Sequence, residues 1–337
     1  MRRAGKSFHG FLAPQLAAYL DFRRKLGYTS YASSGTIAIA KDFDYYLVFR
    51  GIASANQIDE ALIYNWIHAI PERATGTKNN KLKFARTFLR YLERLGLVRD
   101  NPALRILYLK PRYRKPYIYS LKELGEILEE ARKLKRRYPK RLMGWTMETL
   151  ILLIYACGLR LSEATNLRIN DVDFEEGALS LWRTKFHKER LVPFSPPVAQ
   201  MLRAYLAQRR RVYPHASSAE RFFRSSTNAS YAPGTVEWLF RGILRRCGLT
   251  KPAGHGPRIH DLRHTFAVHR LYKWYQEGHD IHNKLPLLST YMGHTAIYCT
   301  EVYLTIALDL LREGDRRFQA AFEPVTHKAL ARTFRNL

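Results

Sequence analysis

Three short segments carry residue types suited to work on a phosphate. The first, Tyr155-Ala-Cys-Gly-Leu-Arg160-Leu-Ser-Glu163, sets an arginine where an apolar helix stops at Gly158 and a second helix can begin with Ser162 as its cap. From that joint Arg160 can aim a rigid five-donor fork at an anion, with Glu163 near enough in sequence to orient it; standing alone, such an arginine more often caps helix-end carbonyls. The second, His260-Asp-Leu-Arg263-His264-Thr-Phe-Ala267, predicts a helix on which His260, Arg263 and His264 share one face, opposite Leu262 and Phe266. Two histidines at this spacing also suit a zinc site, but position 261 is Asp where that chemistry needs Glu, and Arg263 would repel the cation. The third, Tyr291-Met-Gly293-His294-Thr-Ala-Ile-Tyr298-Cys-Thr-Glu-Val-Tyr303, joins a histidine after a glycine to a tyrosine farther on. Each is ordinary alone. Their order, with the basic stretch Thr184-Lys185-Phe-His-Lys188-Glu-Arg190 between the first two, carries the information.

This ordered set resembles the tyrosine recombinases of the phage integrase family, whose motifs read much like GLRLSE, a lysine-bearing hairpin ending in KERLVPF, HDLRHTFA, and GH ahead of a tyrosine. The resemblance covers about Tyr117 to Glu323. It implies a strand transferase acting on double-stranded DNA without metal, cofactor or ATP. Arg160 and Arg263 fall on the paired phosphate clamps and Tyr303 on the nucleophile. Lys185 falls on the hairpin lysine that protonates the leaving oxygen, and His260 and His294 take the two remaining active-site positions. Tyr298 sits too close to Gly293-His294 to match the family tyrosine. The turn carries Thr184, Phe186 and His187 where the family is glycine-rich, which leaves Lys188 as the alternative acid. The stretch between Arg263 and His294 is longer than in the simplest members and is similar to recombinases of transposons and other mobile elements, so the implied role is integration, excision or transposition. The family also implies a homotetramer on two DNA sites, with accessory or partner recombinases as further candidates.

The chemistry explains the residue types. A phosphodiester repels nucleophiles, so its non-bridging oxygens must be neutralised as charge builds in the transition state, and two guanidinium forks can do this. A phenol has a pKa near 10 and is mostly protonated at neutral pH, so cations and a histidine must help remove its proton; His260 and the arginines are the expected helpers. The 5′ oxygen is a poor leaving group unless an acid protonates it, and a lysine on a hairpin can reach it.

The elements that must position these residues follow from periodicity. The expected fold is mainly α with a small antiparallel β-sheet, in two lobes: residues 1–110 as a helical core-binding domain, 111–116 as a linker, 117–323 as the catalytic domain and 324–337 as a tail. The first lobe reads as helices near Ala13 to Leu26, Ser34 to Phe49, Ile58 to His68 and Lys78 to Leu95. In the last of these Ala85, Phe88, Leu92 and Leu95 mark an apolar stripe, and Arg86, Arg90 and Arg94 form a basic ridge that is either a solvated face or a phosphate contact. Lys110-Pro-Arg112-Tyr-Arg114-Lys115-Pro116 suits an extended linker crossing DNA. Ser120 and Glu123 form a capping box opening the next helix. Ala178 to Trp182 and Leu191 to Phe194 read as a hairpin around the basic turn, followed by helices near Pro197 to Arg211, Thr235 to Cys247 and His260 to Gln276 and a shorter set from Leu287 onward. The apolar positions of Leu308 to Leu337 suit packing on the same protomer or on a neighbour.

Composition bounds the reading. The chain has 337 residues, 46% of them hydrophobic, and a net charge of +27. Up to Lys115 there are 21 basic and 8 acidic residues, and after it 35 and 21, so both lobes seek a polyanion. Cys157, Cys247 and Cys299 are too scattered for a zinc site or a disulfide framework. No stretch reads as a signal peptide or membrane span, which predicts a cytoplasmic, DNA-associated protein. Two competing readings are a type IB topoisomerase, which rejoins the original strand, and a non-catalytic DNA-binding protein. The Gly-His to Tyr spacing favours exchange over the first, and the presence of all six expected side chains favours catalysis over the second.

Overall fold

A computed structural model describes residues 8–27, 34–71, 75–110, 115–137, 142–182, 189–215, 217–225, 230–250, 256–294, 296 and 298–313. The chain divides into two compact units, Met1–Arg114 and Lys115–Leu337.

The first unit is helical: α1 (Ala13–Lys25), α2 (Ser34–Phe49), α3 (Glu60–His68) and α4 (Thr75–Arg94). The other three helices pack on α4, whose Leu82, Phe84, Ala85, Phe88, Leu89 and Leu92 are buried. Aromatic rings fill the centre, with Tyr19 against Phe88 at 5.3 Å and Phe43 against Trp66 at 4.7 Å between centroids. Leu95 leaves the expected stripe: α4 ends at Arg94, the chain turns at Gly96 with φ +69°, and Leu95 is half exposed. The basic ridge also divides. Arg86 has a structural task that its neighbours lack: its guanidinium donates to the carbonyls of Ala103 (3.0 Å), Leu104 (3.3 Å) and Ile106 and lies over the Tyr108 ring. It fastens the segment after α4 to the helix. Arg90 and Arg94 are exposed.

The second unit contains α5 (Leu121–Arg137), α6 (Met143–Cys157), α7 (Leu161–Asn166), β1 (Val172–Asp173), β2 (Ala178–Leu181), β3 (Arg190–Pro193), α8 (Pro196–Val212), α9 (Pro233–Arg246), α10 (Asp261–Gln276), α11 (Ile281–Met292) and α12 (Tyr298–Glu313). The fold is thus mainly helical with one small sheet. The capping box forms: the Ser120 amide donates to Glu123 at 2.7 Å and the Glu123 amide to the Ser120 hydroxyl at 3.2 Å. α6 is buried along most of its length and packs on α5, α8 and α10, its few polar side chains finding partners there: Glu148 pairs with Arg132 and Thr146 with the Tyr205 hydroxyl. It ends at Gly158, whose φ of +59° fits the expected stop.

The sheet is antiparallel in the order β1-β2-β3, with Leu179 opposite Val192. The hairpin strands match the expectation; β1, two residues long, is too short to carry a strand pattern. The next helix begins earlier than Ser162: Arg160 is the cap residue, and its amide donates to Glu163 at 2.8 Å. A carboxylate at the third helical position can satisfy that amide, so no serine cap is needed.

α10 also departs from a two-faced helix. It packs against α6, α11 and α12, so Leu262 and Phe266 are buried, and so are Asp261, Arg263 and Thr265. Of the tail, α12 runs to Glu313 and residues 314–337 lie outside the described residues. Among the described residues no helix is long and apolar enough to cross a membrane.

Candidate active site

Helix ends build the centre of the second unit. The last carbonyls of a helix lack intrahelical partners, and two arginines supply them. Arg263, on α10, donates to the Gly158 carbonyl at the end of α6 (2.5 Å) and to the Met292 carbonyl at the end of α11 (2.7 Å). Arg160, between α6 and α7, donates to the next carbonyl of α11's end, that of Gly293, at 2.7 Å. The capping bonds fix both guanidiniums, and each engages only part of its five-donor fork.

Glu163 gathers the cations. Its Oε1 accepts from Arg160 Nη1 at 2.6 Å, and its two oxygens accept from Arg190 Nη1 at 3.0 Å and Nη2 at 2.9 Å. Arg263 Nη1 is 3.9 Å from Oε2. Burial alone would raise its pKa, but Arg190 and Arg160 hold it at about 2. Three guanidiniums around one carboxylate leave an excess of positive charge. For Arg263, burial and the nearby Arg160 bring the pKa down to about 10, still charged at neutral pH.

Tyr303, on α12, is 4% exposed. Its hydroxyl is 2.8 Å from His264 Nδ1. The His294 ring lies at 6.0 Å from the Tyr303 ring in a near-parallel arrangement, and its Nδ1 pairs with the Thr300 hydroxyl at 2.7 Å. His260 meets His264 edge-on at 4.8 Å. The proton affinity of all three imidazoles is lowered. Burial, then the Arg263 charge, lowers His260; burial, then His260, takes His264 down to about 3; burial, then Arg263 and Arg160, takes His294 down to about 4.

Arg160, His260, Arg263, His294 and Tyr303 thus come together, although they span the second unit in sequence. A profile of the phage integrase family matches residues 120–308, more than half of the chain. The chain belongs to the phage integrase family. A protein of Sinorhizobium fredii named as an integrase/recombinase is 33% identical over 312 residues, covering 91% of this chain and 97% of the relative. The tyrosine recombinase XerC of Oceanobacillus iheyensis is 32% identical over 243 residues, covering 70% and 72%. In fold, the chain is similar to the integrase of transposon Tn1549 solved with transposon right-end DNA: the TM-score is 0.61 at 16% identity, covering 88% of this chain and 98% of that one.

In this tyrosine recombinase two residues join the site without having been assigned to it. Arg190 was readable only as part of a basic turn. The available signal was phase: Arg190 alternates with buried Val192 and not with exposed Leu191, so its side chain enters the inner face of β3. There its Nε donates to the Tyr291 carbonyl at 3.0 Å. His264 shares the Arg263 face but falls on no motif position of the family pattern, and it, not His260, meets the Tyr303 hydroxyl.

Lys185 and Lys188 lie outside the described residues; β2 and β3 on either side are described. The Tyr298 side chain also lies outside them. Of the linker residues, Lys110 and Lys115 are exposed, while Arg112 and Arg114 lie outside the described residues. Among the described residues no group of three or more His, Cys, Asp or Glu side chains could hold a metal ion.

Proposed function

We propose that this recombinase cuts double-stranded DNA by attack of the Tyr303 phenol on a phosphodiester seated between Arg160 and Arg263, and rejoins it to a different end. The observation carrying this reading is that Tyr303, whose ring lies against His294 and whose hydroxyl meets His264 on the helix of Arg263, adjoins a cluster where guanidiniums outnumber the carboxylate that orients them. Such a cluster is short of an anion and already rigid, so little reorganisation is needed as transition-state charge develops. The Tyr303 oxygen bonds to phosphorus, the bond from phosphorus to the 5′ oxygen breaks, and Lys185, or Lys188 in its place, gives that oxygen its proton. His260 and His294 complete the pocket. The 3′-phosphotyrosyl ester retains the bond's energy, so a second 5′ hydroxyl can displace Tyr303 without ATP.

The net charge of +27 supports contact with DNA over both units. Residues 1–110 would serve as the core-binding domain, with Arg90, Arg94 and Lys110 facing phosphate, and residues 111–116, with Arg112, Arg114 and Lys115, as the crossing linker. Exchange between two sites calls for a homotetramer, with the 324–337 tail passing to a neighbour or packing at home. Integration, excision or transposition of a mobile element is the role we assign, in line with the long stretch between Arg263 and His294 and with the integrase/recombinase name of the Sinorhizobium fredii relative.

The test is a nicked suicide DNA carrying the cognate site, incubated in EDTA. A covalent adduct is expected, lost in Tyr303→Phe; an adduct surviving that substitution sinks the nucleophile assignment. Exchange between two duplexes, as opposed to supercoil relaxation, separates a recombinase from a topoisomerase.

A further inference from the structure

We infer that His264 is the group that takes the proton from the Tyr303 hydroxyl as that oxygen bonds to phosphorus. This rests on the reading of Tyr303 as nucleophile. Deprotonation needs an acceptor within hydrogen-bond reach of the phenol, and His264 Nδ1 is there at 2.8 Å. The other two histidines are placed differently: His294 Nδ1 is engaged with the Thr300 hydroxyl, and His260 packs edge-on against the His264 ring.

His264 is held by the same rigid element as a phosphate clamp. It follows Arg263 directly on α10, a helix packed on three sides. Acceptor and clamp are therefore fixed relative to each other, and the Tyr303 phenol bonds the first while lying close enough to the second to act on its charge. The transfer balances: the Oη–P bond forms, the P–O5′ bond breaks, the phenolic proton passes to His264 Nδ1, and the leaving oxygen takes its proton from the hairpin lysine. In rejoining, the incoming 5′ hydroxyl gives up a proton to that lysine, and His264 returns its own to the departing Tyr303 oxygen.

The free enzyme keeps this base weak. Burial, then His260, lowers its proton affinity; Arg258 and Arg263 act in the same direction and Asp261 opposes them, while Tyr303 faces it from α12. A phosphodiester bound by Arg160 and Arg263 cancels part of that positive field. The proton affinity of His264 then rises when substrate is present, which confines tyrosine activation to the DNA complex.

The experiment is single-turnover cleavage of suicide DNA by the full chain across pH 6 to 9, with His264→Asn and His264→Phe. The asparagine amide oxygen can still accept the phenol's hydrogen bond but cannot take its proton; phenylalanine does neither. Both variants are expected to bind DNA as the parent does and to cleave about 100-fold slower or worse. The asparagine variant should gain about tenfold per pH unit where the parent levels off, since hydroxide must now remove the proton. Asparagine at the parental rate would show that His264 only positions the phenol. Faster cleavage by either variant would show that the hydrogen bond is a latch broken before attack. Tyr303→Phe in the same assay separates the two readings: if it abolishes the adduct while both His264 variants cleave normally, only the proton-acceptor assignment fails. Thermal melting of each variant identifies a folding defect, and the asparagine variant, closest in shape and polarity, keeps the test decisive if phenylalanine unfolds the site.

Discussion

Arg190 grips both oxygens of Glu163 while its Nε holds the Tyr291 carbonyl, so one side chain ties β3 to the α7 carboxylate and to the end of α11. Arg160 depends on the same carboxylate. Arg190→Ala should therefore act twice. Leaving the buried Glu163 short of its bidentate partner is expected to cost about 3–5 kcal/mol in denaturant unfolding. Suicide-substrate cleavage should fall more than DNA binding does, because Arg160 loses its orientation. Arg190→Lys should recover little of either, since an ammonium cannot reproduce the fork. Near-parental stability and cleavage in Arg190→Ala would show that Glu163 and Arg160 hold each other unaided.

Gly293 ends α11 with φ +66°, and a Cβ placed on it would lie 2.8 Å from Arg190 Nη1. Gly293→Ala combines an unfavourable backbone conformation with displacement of Arg190. A loss of about 1–2 kcal/mol is expected from the backbone alone, with a drop in cleavage as the Gly293 carbonyl moves away from Arg160. Thermal melting and single-turnover cleavage measure the two effects. An active and stable alanine variant would mean that the turn can shift without disturbing the arginines.

Arg86 and its helical neighbours should separate cleanly. Arg86→Ala is expected to destabilise the first unit, because the carbonyls of Ala103, Leu104 and Ile106 lose their donor. Arg90→Ala and Arg94→Ala should leave melting unchanged and weaken DNA binding. For each phosphate that is no longer neutralised, the slope of log affinity against log salt should flatten by about 0.9. Unchanged slopes in both would remove this face from the DNA interface.

Acid should weaken the fold before it titrates ordinary carboxylates. His264 and His294 have folded pKa values of about 3 and about 4, below the ordinary imidazole value near 6.5. Between these values the unfolded chain binds more protons, so the contribution is complete above about pH 6.5 and declines as pH falls towards about 4. Each histidine accounts for at most about 1.4 kcal/mol per pH unit over that range. Glu163, lowered to about 2, adds a further loss only below the ordinary glutamate value of about 4.5. Denaturant unfolding of DNA-free protein from pH 8 to pH 5 should show the histidine decline, made shallower by His264→Asn. A flat profile would mean that the imidazoles take up protons in the folded state as readily as in water.

What could be read without the fold was local or cumulative. The stop of α6 at Gly158, the Ser120–Glu123 capping box and the hairpin strands follow from neighbours a few residues apart, where backbone conformation and capping chemistry leave few choices. The ordered set from Arg160 to Tyr303 was legible as a pattern of residue types. Which atoms those residues touch was not. Arg190 reaches Tyr291, Arg160 reaches Gly293, Arg263 reaches Gly158, and His264, not His260, reaches Tyr303. Arg86, indistinguishable in spacing from Arg90 and Arg94, is consumed by the segment that folds back on α4. Each partner is a carbonyl or hydroxyl delivered by an element remote in sequence. A guanidinium or imidazole carries the same donors and acceptors wherever it stands, so only the packing of helix ends decides which of them are occupied and which are left for DNA.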